Sequence, residues 1–237
     1  ITYIIVDKQP KNIANLSAND SKEKKGEKLI LNGMARDYFQ RENLLRGLND
    51  MHDDDLVLIS DLDEIPNLNE LNMSKIGSNI VIFEQKMFYY KLNLFYKDYT
   101  WLGTKAVKRK KFLSPQWLRN IKGKKYSKWR LDTFFSKKKY SNLLFVKNGG
   151  WHFTCLKTPE QLEKKLLNYA HHYEFQVSGL KIDDIRRFIA EKRIIYDYKA
   201  DRKGFKWSGA SKLKKMDNVF LPRYVANNLN KYLDWLD

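Results

Sequence analysis

Two aspartates one residue apart, followed at once by a glutamate, close an apolar run: Leu56-Val57-Leu58-Ile59-Ser60-Asp61-Leu62-Asp63-Glu64-Ile65-Pro66. Carboxylates held this close repel one another unless a cation joins them. Hard oxygen donors of this kind suit Mg2+ or Mn2+. Side chains two apart on an extended chain point the same way. Asp61 and Asp63 are therefore expected to converge, with Leu62 turned back toward the core. The apolar residues 56–59 read as a strand buried on both faces. Pro66 has no N–H to give a ladder, so the strand is expected to end before it. Open α/β sheets bind their ligands at the carboxyl ends of such central strands. The plainer alternative is that Asp61, Asp63 and Glu64 only decorate a turn.

Other chemistries find less support. Zinc sites need clustered Cys and His, and this chain has one Cys and four His. His171 and His172 are adjacent and cannot both point into one helical site. No G-x-S-x-G elbow, Walker loop or G-x-G-x-x-G is present. A two-metal nuclease also uses clustered carboxylates on a strand and stays open as an alternative. So does a non-enzymatic module that binds nucleic acid or a membrane surface, although no named nucleic-acid motif occurs, which makes nucleic acid the weaker partner.

The elements that must position the carboxylates are legible in outline. Residues 1–6 (Ile-Thr-Tyr-Ile-Ile-Val) read as a buried strand and 11–28 as a polar loop. Residues 35–51 have helical periodicity, and Asp53-Asp54-Asp55 turns the chain into the 56–59 strand. Residues 79–83 form a strand, and the aromatic run 87–99 reads as a strand pair or as a surface for stacking sugars or bases. Ser114-Pro115 opens a short helix through Arg119. A strand at 143–146 precedes Gly149-Gly150-Trp151-His152, where the glycines permit a tight backbone. Thr158-Pro159-Glu160 starts a helix, 182–193 form another, 196–211 a loop, and 225–236 an amphipathic helix.

The composition bounds the partners. Lys and Arg number 45 against 28 Asp and Glu, a net charge of +17 that invites phosphorylated substrates, nucleic acid or an anionic membrane surface. Much of the excess lies in 105–128, with Lys108-Arg109-Lys110-Lys111 and Lys122, Lys124, Lys125 and Lys128. The single cysteine, Cys155, allows no internal disulfide and fits a reducing compartment. With no membrane-spanning run, the expectation is a cytoplasmic protein, peripheral to the membrane where basic patches touch it.

Several stretches together resemble glycosyltransferase family 17. These are Arg36-Asp37-Tyr38-Phe39-Gln40-Arg41-Glu42-Asn43, the segment from Asp54 to Pro66, Trp101-Leu102-Gly103-Thr104 with Ser114-Pro115-Gln116-Trp117-Leu118-Arg119, Gly149-Gly150-Trp151-His152-Phe153-Thr154, and His172-Tyr173-Glu174-Phe175. The resemblance implies an α/β, GT-A-like (Rossmann-like) mixed sheet flanked by helices. One catalytic domain would span 1–237, with a sheet core over 1–155 and a mostly helical part over 156–237. It also implies a UDP-sugar donor, with GlcNAc as the sugar, a glycan acceptor, a divalent Mn2+ or Mg2+, and inversion at the anomeric carbon. On that pattern Asp61 and Asp63 hold the metal and the donor, and Arg41 reaches donor phosphate or braces the acidic loop. Trp151 and His152 line the acceptor, and Glu174 is the general base, with Glu84, Asp197 and Glu64 as rivals. The family pattern also has an earlier strand for the nucleotide base, so the chain is expected to begin after it. The 198–212 loop departs from the pattern.

Overall fold

The computed structural model describes every residue except 78, 128, 134, 170–171, 201–205, 208 and 210. Lys128, His171 and part of the 198–212 loop therefore lie outside the described residues.

Helix α1 (Lys22–Glu42) is opened by Ser21, whose side chain accepts from the Lys24 N–H. It takes in residues read from sequence as loop, and it ends before the expected 51; a short 3-10 turn (Asn43–Gly47) follows. The chain then runs through β1 (Leu56–Ile59), β2 (Glu64–Pro66), β3 (Ile80–Phe83), β4 (Gln85–Tyr89), β5 (Leu94–Trp101), β6 (Lys105–Lys108), α2 (Pro115–Asn120), β7 (Leu143–Val146) and β8 (Gly150–Thr154). Helices α3 (Pro159–Asn168), α4 (His172–Ser178) and α5 (Ile182–Ala190) follow, then β9 (Lys214–Lys215) and α6 (Arg223–Ala226).

The fold is mixed α/β, as expected, but the strands form two mixed sheets rather than one. Their orders are β1-β6-β3-β7 and β2-β8-β4-β5-β9. Among the described residues, only β3/β7 and β4/β8 pair in parallel. Three columns run through both sheets: β3 into β4 across Glu84, β7 into β8 across Lys147, Asn148 and Gly149, and β5 into β6 across Leu102, Gly103 and Thr104. The fourth connection behaves differently. β1 lies beside β6 at one edge of the first sheet, whereas β2 lies beside β8 at the opposite edge of the second. The residues between them, 60–63, therefore cross over the line where the sheets part.

This topology corrects several expectations. β1 is an edge strand among the described residues, with Val57 and Ile59 buried and Leu56 and Leu58 only partly so. The Asp-x-Asp sits in a turn beyond the strand, where the Glu64 N–H donates to the Asp61 carbonyl at 3.0 Å. In that turn Leu62 points fully into solvent instead of back to the core. Pro66 belongs to β2, opposite Gly150; at a strand's end its missing N–H costs little. Residues 1–6 form no strand: Ile1, Tyr3 and Ile5 are exposed. β-branched composition only fits a half-buried pleated surface, and here there is none to join. The amphipathic stretch at 225–236 breaks into α6 and a 3-10 segment (Leu229–Trp235) with Tyr232 out of helical geometry.

Helices cover the sheets unevenly. Leu118 and Ile121 of the α2 region pack on Val57, Ile59, Ile80 and Val107 of the first sheet. On the second sheet, Tyr89, Tyr90 and Tyr96 meet Leu162 and Leu166 of α3, Phe175 of α4 and Ile185 and Phe188 of α5. The aromatic run 87–99 is thus mainly core. α1 is joined to α4 at Gly26, where a Cβ would overlap the Tyr173 ring. It is joined to α2 by Glu42, whose Oε1 accepts from Ser114 Oγ at 2.7 Å and the Gln116 N–H at 2.8 Å.

Candidate active site

Glu64 is the centre of the crossing. Its side chain is fully buried, and burying an unpaired carboxylate is costly. Six donors satisfy it. Arg119 donates from Nη1 to Oε2 at 2.9 Å and from Nη2 to Oε1 at 3.0 Å. Trp101 Nε1 donates to Oε1 at 2.7 Å, and Thr104 Oγ1 and the Asp61 N–H donate to Oε2 at 3.1 and 3.0 Å. Ser60 Oγ stands 3.4 Å from Oε2. Burial pushes the Glu64 carboxyl up, but Arg119 and Trp101 outweigh it and hold it below its ordinary value. Glu64 is thus a bound anion that pins the crossing, which makes it a poor candidate for a proton acceptor.

Arg119 is held in turn. Its Nη1 also donates to the Gly103 carbonyl, and Nη2 donates to Asp61 Oδ2 at 2.6 Å. The helix that carries it is fixed from below by Lys105, whose Nζ donates to the Arg119 and Ile121 carbonyls at 2.6 Å each. A cation on the last carbonyls of a helix satisfies orphan acceptors and opposes the dipole. Lys105 is 5 % exposed, and burial, with the Arg119 charge beside it, pushes its ammonium down to about 7.

Asp61 and Asp63 have different surroundings. Asp61 is gripped by Arg119 and, from the other side, by Arg41 Nη2 at 3.4 Å. Burial nonetheless raises its carboxyl above the ordinary range. Arg41 Nη1 is bound to Gln116 Oε1 at 2.6 Å and to Asp37 at 3.1 Å, so Arg41 braces the acidic turn. Asp63 meets His152, with Oδ1 3.5 Å from Nε2. Burial pushes the Asp63 carboxyl up, yet His152 and the charge of Lys165 bring it below its ordinary value. The His152 ring stacks on the Trp101 indole at 4.3 Å and 14°. Its Nδ1 is buried with no hydrogen-bond partner among the described residues, an orphan of the kind functional sites retain.

The carboxylates separate two cavities of about 920 and 410 Å³. Asp37, Asp61, Asp63, Cys155, Lys165 and Tyr169 line both. The larger adds the cations Arg36, Arg41 and Lys157. The smaller adds Trp101, His152 and Tyr198. The larger space thus has more cations and the smaller, which Arg119 also lines, more aromatic faces, so anionic groups suit the first and ring faces the second.

Of the residues singled out in the sequence, the fold brings together Arg41, Asp61, Asp63 and His152. Trp151, next to His152 on β8, faces the other way: its Nε1 donates to the Phe220 carbonyl at 2.7 Å, and it lines neither cavity. Glu174 stands in the first turn of α4 near Tyr169 and also lines neither. Glu84 and Asp197 are absent from both linings too. Sequence reasoning gave no role to Asp37, Trp101, Lys105, Arg119 or Lys165. Asp37, Trp101 and Arg119 fall inside stretches that already stood out, and that was their one available signal. Lys105 and Lys165 look like any other lysine in a chain this basic.

The described residues offer a divalent cation an incomplete seat. Among the described residues no group of three or more His, Cys, Asp and Glu stands together as a metal cage. Mg2+ and related ions are commonly held by one or two carboxylates and completed by substrate phosphates and water. Asp63, 39 % exposed in its side chain and facing both cavities, fits that role; Asp61, already charge-paired twice, fits it less well. The sequence model of glycosyltransferase family 17 matches residues 11–236. No curated protein and no solved structure matches the chain.

Proposed function

Because the chain belongs to glycosyltransferase family 17 and is therefore a glycosyltransferase, we propose that it transfers GlcNAc from UDP-GlcNAc to a glycan hydroxyl, with inversion, on a GT-A-like scaffold. Family membership sets aside the nuclease and the non-enzymatic module. The observation that carries the finer reading is the crossing turn: Asp61 and Asp63 stand between a cation-lined cavity and an aromatic-lined one.

In this reading the diphosphate occupies the larger cavity, against Arg36, Lys157 and Lys165, and the sugar turns toward Trp101 and Tyr198. Mn2+ or Mg2+, when bound, neutralises charge on the departing diphosphate, and Asp63 with Asp61 would hold it. Arg119 and Arg41 orient Asp61. Trp101 keeps the His152 ring parallel to its own, so that Nε2 faces Asp63.

Inversion needs a base on the acceptor hydroxyl. Asp37 supports that role better than Glu174, because its carboxylate lines both cavities and is half exposed.

Two measurements on one protein test the reading. UDP with Mn2+ should raise the melting temperature, chelator should abolish the rise, and Asp63→Ala should lose it while keeping its circular dichroism. No metal-dependent rise in the wild type would overturn the donor site. Asp37→Asn should keep the rise but lose about 100-fold or more in transfer, whereas Glu174→Gln should transfer normally. The reverse pattern returns the base to Glu174.

A further inference from the structure

Away from the cavities, lysine and arginine recur through residues 122–139, where Asp132 is the only acid. That acid is already taken: Arg130 Nε and Lys139 Nζ hold its two oxygens at 2.6 and 2.5 Å. The Lys122 N–H donates to the Lys138 carbonyl at 2.8 Å. This bond closes the segment into a loop and sets its two lysine-bearing ends side by side. Lys122, Lys124 and Lys125 on one end and Lys137 and Lys138 on the other are all exposed.

Between those ends the loop exposes apolar side chains. Trp129 is 93 % exposed, Leu131 76 % and Phe135 91 %. In the sheets the aromatics Phe83, Phe88, Tyr89 and Tyr96 are buried, and no exposed aromatic outside this loop among the described residues exceeds the 86 % of Tyr3. An exposed apolar cluster above a basic neck marks an interaction surface. Tryptophan, phenylalanine and leucine suit the boundary between headgroups and acyl chains, and lysines suit anionic headgroups beside it. Nucleic acid accounts for the charge but not for Leu131, which has no ring to stack a base on. Among the described residues no helix is long and apolar enough to cross a membrane, so attachment through this loop would be peripheral.

We propose that the loop 122–138 docks the protein on an anionic lipid surface, with Trp129, Leu131 and Phe135 entering the interface and the neck lysines meeting the headgroups. This inference does not rest on the donor-site reading.

The test is co-sedimentation of the full chain with phosphatidylcholine vesicles, with and without phosphatidylglycerol. Binding should require the anionic lipid and weaken with salt. Each lysine near such a surface contributes about fivefold, so Lys124→Ala/Lys125→Ala should weaken binding about 25-fold. Trp129→Ala/Phe135→Ala should also weaken it. Brominated lipid should quench tryptophan emission in the wild type and much less in Trp129→Ala. An unchanged circular dichroism spectrum and melting temperature in every variant report that each is folded. Absence of binding to anionic vesicles overturns the proposal. So does undiminished quenching in Trp129→Ala, or binding of a single-stranded oligonucleotide but not of vesicles through these residues.

Discussion

Replacing Glu64 by glutamine isolates the charge that holds the crossing together. The side chains are nearly isosteric, so no cavity opens. What changes is that Arg119 loses its buried counter-ion and the new amide turns an NH2 toward donors that previously had an acceptor. Trp101 Nε1 and Arg119 Nη2 both address Oε1, and Arg119 Nη1, Thr104 Oγ1 and the Asp61 N–H address Oε2. Either orientation of the amide therefore opposes N–H to N–H. Breaking one side of a buried pair costs about 3–5 kcal/mol. Arg119 keeps Asp61 and the Gly103 carbonyl, which places the cost near the lower end, about 3 kcal/mol. For a chain of this size that corresponds to a fall of roughly 6–12 °C in melting temperature.

Urea titration at neutral pH gives the free energy directly, and the pH dependence adds a second check. Glu64 titrates below its ordinary value in the folded state, so its contribution is present above the unfolded pKa and is lost as pH falls through the folded one. The wild-type advantage over Glu64→Gln should therefore shrink as the pH falls into the acid range. A variant within 1 kcal/mol of the wild type, or a difference that grows in acid, would refute the assignment of Glu64 as a bound anion.

Two further outcomes follow from the same cluster. Lys105 binds its proton more weakly folded, near pH 7, than unfolded, near 10.5, so the unfolded chain holds more protons between those values and stability rises with pH across that window. In Lys105→Met the rise between pH 7.5 and 9.5, measured by urea midpoints, should flatten by roughly 3 kcal/mol; equal slopes would contradict a buried ammonium. At Gly103 a Cβ would overlap Glu64 Oε1 and Trp101 Nε1, so Gly103→Ala should cost about 1–3 kcal/mol, read as a lower melting temperature, while Gly77→Ala, where no atom lies near the added carbon, should lose only the cost of its positive φ.

What the sequence disclosed depended on how local the cause was. Ser114-Pro115 and Thr158-Pro159 start helices because a side-chain oxygen caps an N–H three residues on, a matter settled within one turn. The strands at 56–59, 79–83 and 143–146 were legible because apolar runs of that length have few other fates. The path of the chain between sheets was not. Nothing near Ser60 says that β1 pairs with β6 at one edge while β2 pairs with β8 at the other, and on that depends the outward turn of Leu62. The carboxylates were visible as chemistry, but their division of labour was not. Asp61, Asp63 and Glu64 differ only in which partner reaches them from distant segments: Arg41 and Arg119, His152, and Arg119 with Trp101.

The crossing also explains why so much charge is buried beside the cavities. Residues 60–62 lie between the two ladders, and the second is joined where the Phe153 N–H donates to the Asp63 carbonyl at 2.8 Å, so few inter-strand bonds fix the backbone of the turn. The Glu64 carboxylate replaces them by holding Ser60, the Asp61 N–H, Trp101, Thr104 and Arg119 at one point. Those donors come from β5, from the turn into β6 and from α2, so all three elements fix the Asp61 and Asp63 positions together. Apolar packing could fill the same volume at no greater cost, but it would leave the turn that carries the two aspartates held by fewer bonds. If the site meets a diphosphate as proposed above, a rigid, already polarised support would hold that charge in one geometry. The buried Glu64–Arg119 pair is accordingly better understood as setting the position of the cavity-facing carboxylates than as adding to the stability of the fold.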